Sequence, residues 1–338
     1  MLNNLPKITV ITIALNLIKN NRADLFKECV KSVLNQTYKN IEYIIQDGES
    51  DDGTIDFIRN CNKNNVFKFY SQKDNGIDEA YNNALSHASG KYVIFMNSDD
   101  CFYNDTVVEE CVEKLEEEKA DYCYGKEKKV YRNGNFCMIY NPKIENFWKN
   151  MPFSHQTLFV KREVMEKLGG YNTDCGFGGD IHLVLQLILN DYKGIEIDKI
   201  ISLYRIGGIS SQTEDKKGQM KVLYVIAKRF LNLYKNFYDD ISLEQVEDIY
   251  HFGDYQSVYP KYFLQKLIKF MIDKNLKNFD YNKFINYVNQ ISVNNFTRKV
   301  KVCYRLFDLL PFLKIKIKNN KKVYKLFGFL PIISIKEI

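Results

Sequence analysis

No stretch of this 338-residue chain approaches the ~18 uninterrupted apolar positions that a membrane-crossing helix needs. Nor does the N-terminus show the charged, apolar and small-residue stages of a secretory leader. Both absences predict a cytoplasmic protein of one large or two smaller domains. The cysteines at 29, 61, 101, 111, 123, 137, 175 and 303 contain no CxxC pair and no metal-ligand spacing. They are expected to be reduced, small apolar residues rather than a disulfide frame. Basic charge is scarce where a nucleic-acid-binding body would need it. The net charge is +6, but residues 298–338 hold eleven Lys/Arg against two Asp/Glu, which leaves 37 basic and 40 acidic groups in 1–297. A slightly acidic body argues against nucleic acid as a partner.

What is present is a regular alternation of strand and helix patterns. Ile8–Leu15 is unbroken, apolar and β-branched, the pattern of a buried strand. Ala23–Leu34 follows as an amphipathic helix with Phe26, Val30 and Val33 on one face, and with Asn21 and Asp24 spaced as a capping box. Strands are expected at Ile41–Gln46, Phe67–Ser71 and Tyr92–Met96, and helices at Thr54–Cys61 and Ile77–Ser89, the latter stopped by Gly90. Such βαβ units imply a mostly parallel sheet.

Two of these strands run straight into acidic clusters. Ile41–Gln46 leads to Asp47-Gly48-Glu49-Ser50-Asp51-Asp52-Gly53-Thr54, and Tyr92–Met96 to Asn97-Ser98-Asp99-Asp100. In an open α/β sheet, ligands bind beyond the carboxyl ends of the strands, so both clusters are expected to face one crevice. Gathered carboxylates repel one another and lose solvation. A hard divalent cation shared with a phosphate-bearing ligand would offset that cost.

Beyond Asp100 the pattern loosens. Val107–Lys119 is an amphipathic helix, and Arg132-Asn133-Gly134-Asn135 between Lys128–Tyr131 and Phe136–Tyr140 is a hairpin signal. Gln156–Val160 reads as a strand, Arg162–Leu168 as a short helix, and Ile181–Leu189 as a buried helix with Asp180 near its start. From Ile209 the sequence turns helical in pattern. The tail holds a two-copy repeat, Tyr304–Lys316 against Tyr324–Lys336, each with a basic flank, an aromatic-aliphatic block and a proline. That composition suits a segment lying at a membrane surface; a pair of helices packed on the body is the alternative.

In order, Thr9–Asn16, Ser32–Tyr38, Asp47–Thr54, Gly76 with Ala80-Tyr81-Asn82, Ala88-Ser89-Gly90 and Asn97–Asp100 resemble the family 2 glycosyltransferases. These are inverting enzymes with the GT-A fold, and the similarity is strongest to bacterial enzymes of capsule, O-antigen and colanic acid synthesis. It covers roughly residues 6–212. The resemblance implies that Asp47 accepts a hydrogen bond from the nucleotide base, with Thr12 and Ala14 lining the base pocket. Asn97-Ser98-Asp99 would stand at the DxD position, Asp99 binding Mn²⁺ or Mg²⁺ against the donor diphosphate, with help from Asp100. Asn97 replaces the usual first Asp and adds no charge. Asp180 would be the general base, in the stretch Gly178-Gly179-Asp180, where a helix N-terminus should hold it ionised. His182 stands where many relatives have a second acid, which leaves acceptor contact, phosphate contact or simple packing open. His155 would touch the diphosphate or acceptor. Arg205, in Tyr204–Ser210, resembles a closing loop that steadies the departing diphosphate.

The expected organisation is a GT-A domain over 1–212, a helical region over 213–297 and a basic amphipathic tail over 298–338. The expected activity is metal-dependent inverting transfer from a nucleotide-sugar, UDP-linked in the family pattern, to a glycan or lipid-linked acceptor at the inner membrane face. A non-catalytic nucleotide- or glycan-binding module would keep Asp47 but could dispense with Asp99 and Asp180. A nucleotidyltransferase would open with a glycine-rich loop after the first strand, and Leu15–Asn20 has no glycine.

Overall fold

The computed structural model describes residues 5–147, 151–173, 178–207, 277–280, 314–318, 321–326 and 330–336. Most of 208–297, where the helical region is expected, lies outside them.

The first unit is built as the alternation requires. β1 (Ile8–Ala14), α1 (Ala23–Leu34), β2 (Ile41–Asp47), α2 (Thr54–Cys61), β3 (Lys68–Ser71), α3 (Ile77–Leu85) and β4 (Tyr92–Phe95) follow one another. Then come β5 (Cys101–Phe102), α4 (Val107–Glu118), β6 (Tyr122–Tyr131), β7 (Phe136–Tyr140), β8 (Phe159–Lys161), α5 (Arg162–Lys167), α6 (Gly179–Leu189) and β9 (Gly194–Ile206). The strands form one sheet in the order β3-β2-β1-β4-β8-β6-β9-β5, with β7 also paired to β6. β1, β2, β3 and β4 are mutually parallel, as are β6 and β9. β8 runs antiparallel to both β4 and β6, joining the two halves.

Alternation along β1 sorts its side chains into two layers. Ile8, Val10 and Ala14 join Phe26, Cys29, Val30 and Val33 of α1 and Val108, Cys111, Val112 and Leu115 of α4 in the main core. On the other face Phe95, in register with Ile11, meets the Tyr81 ring of α3 edge-on at 4.9 Å. Burying these apolar side chains is worth about 1.5–3 kcal/mol each, which is why α3 and α4 dock despite their polar outer faces. The six cysteines among the described residues are all free thiols.

At the opposite edge from the acidic clusters, Glu42 is buried and accepts from Thr9 Oγ1 (2.7 Å), Ser89 N (2.7 Å), Ser89 Oγ (2.9 Å) and Lys68 Nζ (2.6 Å). Burial alone would raise its pKa, but these donors together pull it down to about 2.

Several sequence expectations change. The Asn21/Asp24 capping box does not form: Asn21 sits at φ 53°, Arg22 is the N-cap, and Asp24 instead accepts from Lys27 Nζ at 2.9 Å. α3 ends at Leu85, not at Gly90. Gly90 answers a different demand, because a Cβ there would lie 2.5 Å from the backbone nitrogen of Thr9. Of Gln156–Val160 only the end is strand, since His155–Thr157 is a 3₁₀ turn. Tyr204 and Arg205 lie in β9 rather than in a loop.

In the second unit, β10 (Lys314–Lys318), β11 (Lys321–Leu326) and β12 (Leu330–Lys336) form an antiparallel sheet. The described stretches of the tail are thus strand, while most of the first repeat copy, 304–313, lies outside the described residues. Lys-Ile-Lys-Ile-Lys at 314–318 has period two, which a strand satisfies and a helix does not.

Candidate functional site

β2 and β4 flank β1 in parallel, so Asp47 and Asn97–Asp100 leave the sheet at the same carboxyl edge. There the acidic residues take different parts. Asp47 has no exposed surface; its carboxylate accepts from Ser50 N (2.8 Å), Ser50 Oγ (2.5 Å) and Ser71 Oγ (3.0 Å). In this arrangement it fastens the β2–α2 loop. Thr12 is equally enclosed, its hydroxyl 3.1 Å from Tyr43 Oη and 3.7 Å from Cys29 Sγ. Thr12 therefore lies within the core, and Ala14 is the residue of the pair with some exposed surface.

Asp100 is turned inward as well. It accepts from Arg205 N at 2.8 Å and Gln156 Nε2 at 3.1 Å inside the protein. Burial pushes its carboxyl far up, and the neighbouring Asp99 charge adds to the shift. Arg205 is not free to hold a departing diphosphate in this state. Its guanidinium donates to the Asp99 carbonyl at 2.6 Å and pairs with Glu28 of α1, clamping the Asn97–Cys101 turn. Asp99 remains, with Ser98 buried beside it. Its Oδ2 lies 3.8 Å from Arg22 Nε, a nitrogen without a hydrogen-bond partner of its own.

Among the described residues no three His, Cys, Asp or Glu gather as a closed metal cage. A single hard carboxylate at a strand end still fits Mg²⁺ or Mn²⁺, which bind through one or two carboxylates completed by substrate phosphates and water. The cation would have to displace Arg22 from Asp99.

From Asn97 a continuous polar chain crosses to α6. Tyr81 Oη donates to Asn97 Oδ1 at 2.6 Å and lies 3.2 Å from His155 Nε2. On its other side His155 Nδ1 is 3.7 Å from Asp180 Oδ2. Burial lowers the His155 pKa while Asp180 partly restores it. Asp180 sits in the first turn of α6, its Oδ1 accepting from Ile181 N at 2.7 Å. The helix start was expected to depress its pKa. Burial outweighs both the His155 attraction and the backbone donors, and the carboxyl is raised instead. A raised carboxylate is the stronger proton acceptor. His182 is buried in the same helix, 3.5 Å from Gln186 Nε2.

Sequence reasoning assigned no task to Arg22, Glu28, Asp78 or Tyr81. Tyr81 stood within a recognised segment, but its bridging role depends on a turn far along the chain.

Residues 10–172 match a family model described as Glycosyl transferase family 2. An uncharacterized glycosyltransferase of Rickettsia conorii is 34% identical over 244 residues, covering 68% of this chain and 39% of its own. The chain thus spans about two-fifths of that relative's length. The Escherichia coli protein WfaP, a UDP-Glc:alpha-D-GlcNAc-diphosphoundecaprenol beta-1,3-glucosyltransferase, is 36% identical over 104 residues, 31% of this chain and 41% of its own. Among solved structures, Staphylococcus aureus TarS 1–349 in complex with UDP-GlcNAc superposes with a TM-score of 0.55 at 17% identity, covering 98% of this chain and 99% of that one. At that identity the likeness speaks for the fold.

Proposed function

We propose, for a chain that belongs to the family 2 glycosyltransferases through residues 10–172, that it moves a sugar from a nucleotide-sugar donor to a glycan or lipid-linked acceptor in bacterial surface-polysaccharide assembly. The donor is UDP-linked, as the TarS complex and the WfaP name suggest by analogy, and the anomeric centre inverts. The observation that carries this reading is the chain Asn97–Tyr81–His155–Asp180. It ties the strand end that bears Asp99 to a half-buried carboxylate of raised pKa.

Asp180 takes the proton of the acceptor hydroxyl as that oxygen attacks the anomeric carbon from the face opposite the leaving diphosphate. Ile181 N–H holds one of its oxygens in place, and the His155 ring lies 3.7 Å from the other. When bound through Asp99, Mn²⁺ or Mg²⁺ supplies positive charge to the departing diphosphate. Arg205 and Glu28 act on this step indirectly, by fixing the turn that presents Asp99.

The test is a panel of nucleotide sugars with and without Mn²⁺, scored by acceptor-dependent release of nucleoside diphosphate. Asp99→Asn is expected to weaken donor binding at least about tenfold in Mn²⁺, near 1.4 kcal/mol, and to lose most metal dependence. Binding of UDP without turnover of any donor would move the chain to the non-catalytic module.

Among the described residues no helix is long and apolar enough to cross a membrane. The basic segment 298–338 gives the protein a peripheral contact with an anionic bilayer surface. Its removal is expected to abolish co-sedimentation with anionic vesicles; unchanged sedimentation would refute the contact.

A further inference from the structure

Asp78 is a carboxyl to which the proposed reaction has given no task. It lies in the first turn of α3, is 5% exposed, and its Oδ2 has no hydrogen-bond partner. Opposite stands the first turn of α6. A Cβ on Gly179 would fall 2.3–2.5 Å from the Asp78 carboxyl atoms, so only glycine lets the helix start approach this closely. Gly179 donates its backbone N–H to Asp78, and the next residue is Asp180. Two carboxyl groups on different helices are thus held together across a glycine.

The surroundings favour one negative charge and oppose two. Asp180 has the Ile181 N–H, the His155 ring and a side chain 29% exposed. Asp78 has one backbone donor and almost no water. The other titratable groups facing the pair are the Tyr81 and Tyr171 phenols, both pushed far up by burial and by these carboxylates, and hence neutral. Burial, with the Asp180 charge adding to it and the Gly179 N–H opposing, pushes Asp78 up to about 7.

We propose that Asp78 and Asp180 form a carboxyl pair bearing a single negative charge, in which Asp78 keeps the proton and so fixes Asp180 as the acceptor of the substrate hydrogen. Asp78 is then a positioning residue, and the inference rests on the proposed transfer reaction. In the step itself the acceptor O–H proton passes to Asp180 as the new carbon–oxygen bond forms. The bond from the anomeric carbon to the diphosphate breaks, its electron pair leaving with the diphosphate. The pair then holds two protons and returns one to solvent as product departs.

The deciding measurement is a pH titration of the full chain carrying ¹³C-carboxyl-labelled aspartate, followed by NMR for wild type, Asp78→Asn and Asp180→Asn. Wild type is expected to show a carboxyl midpoint near pH 7 that vanishes in Asp78→Asn and moves roughly one unit lower in Asp180→Asn. A midpoint near 7 that survives Asp78→Asn, or one unmoved by Asp180→Asn, overturns the pairing. Should Asp78→Asn not fold, the Asp180→Asn titration decides alone. In parallel, the kcat/KM profile of wild type is expected to carry an inflection near pH 7 that Asp78→Asn lacks; superimposable profiles overturn the proposal. The titration needs no turnover, so absence of activity with every donor would sink the proposed reaction without deciding the pairing.

Discussion

Asp180→Asn is expected to cut turnover by ~10²–10⁴ while the protein folds and binds donor as before. The amide keeps the size of the side chain and can still lie beside His155, so the Asn97–Tyr81–His155 chain retains its shape. What is lost is the ability to take a proton. Because the wild-type carboxyl is raised by burial, activity should rise with pH through an ionisation above the usual aspartate range, and the variant should lack that limb. Single-turnover rates against pH, with donor affinity measured separately, check both parts. Near-wild-type turnover at any pH would remove Asp180 as the base and send the search to another group on the same edge.

The second large effect concerns stability. Glu42→Gln is expected to destabilise the catalytic unit by about 2–4 kcal/mol near neutral pH, since several donors lose a buried charged acceptor. Lys68 is half exposed and contributes the lesser share; Thr9 and Ser89 bind the carboxylate inside the protein. The folded carboxyl titrates at about 2 against an ordinary value of 4.5. Its depressed pKa adds stability that is complete above pH ~4.5 and is lost as pH falls through about 2. The gap between wild type and variant should therefore be wide at pH 7 and shrink towards pH 2–3, as urea unfolding across that range would show. A pH-independent gap would mean that the charge is not what holds this corner.

Much of this was legible in order. The unbroken run Ile8–Ala14 and the spacing of Phe26, Val30 and Val33 specify strand and helix through period alone, and the parallel β1, β2 and β4 bring both acidic clusters to one sheet edge as the alternation required. β9 escaped because Glu196, Asp198 and Lys199 interrupt its apolar run. It is strand by virtue of pairing with β6, a non-local contact that no window of sequence contains. The acidic clusters marked one sheet edge but not the part each carboxylate plays. Asp47 and Asp100 turned inward, since nearby hydroxyl, amide and N–H donors satisfy them better than solvent. Asp78 gave no signal, because its partner is met only when α3 and α6 come together.

The clamp on the Asn97–Cys101 turn also sets an order of events during synthesis. Asp99 leaves the ribosome long before Arg205, whose guanidinium and backbone N–H secure that turn. A nascent chain that stops short of β9 can assemble β1 to β4 from local contacts, yet the turn bearing Asp99 has no brace. The turn that carries Asp99 is thus braced late, with the last strand of the main sheet.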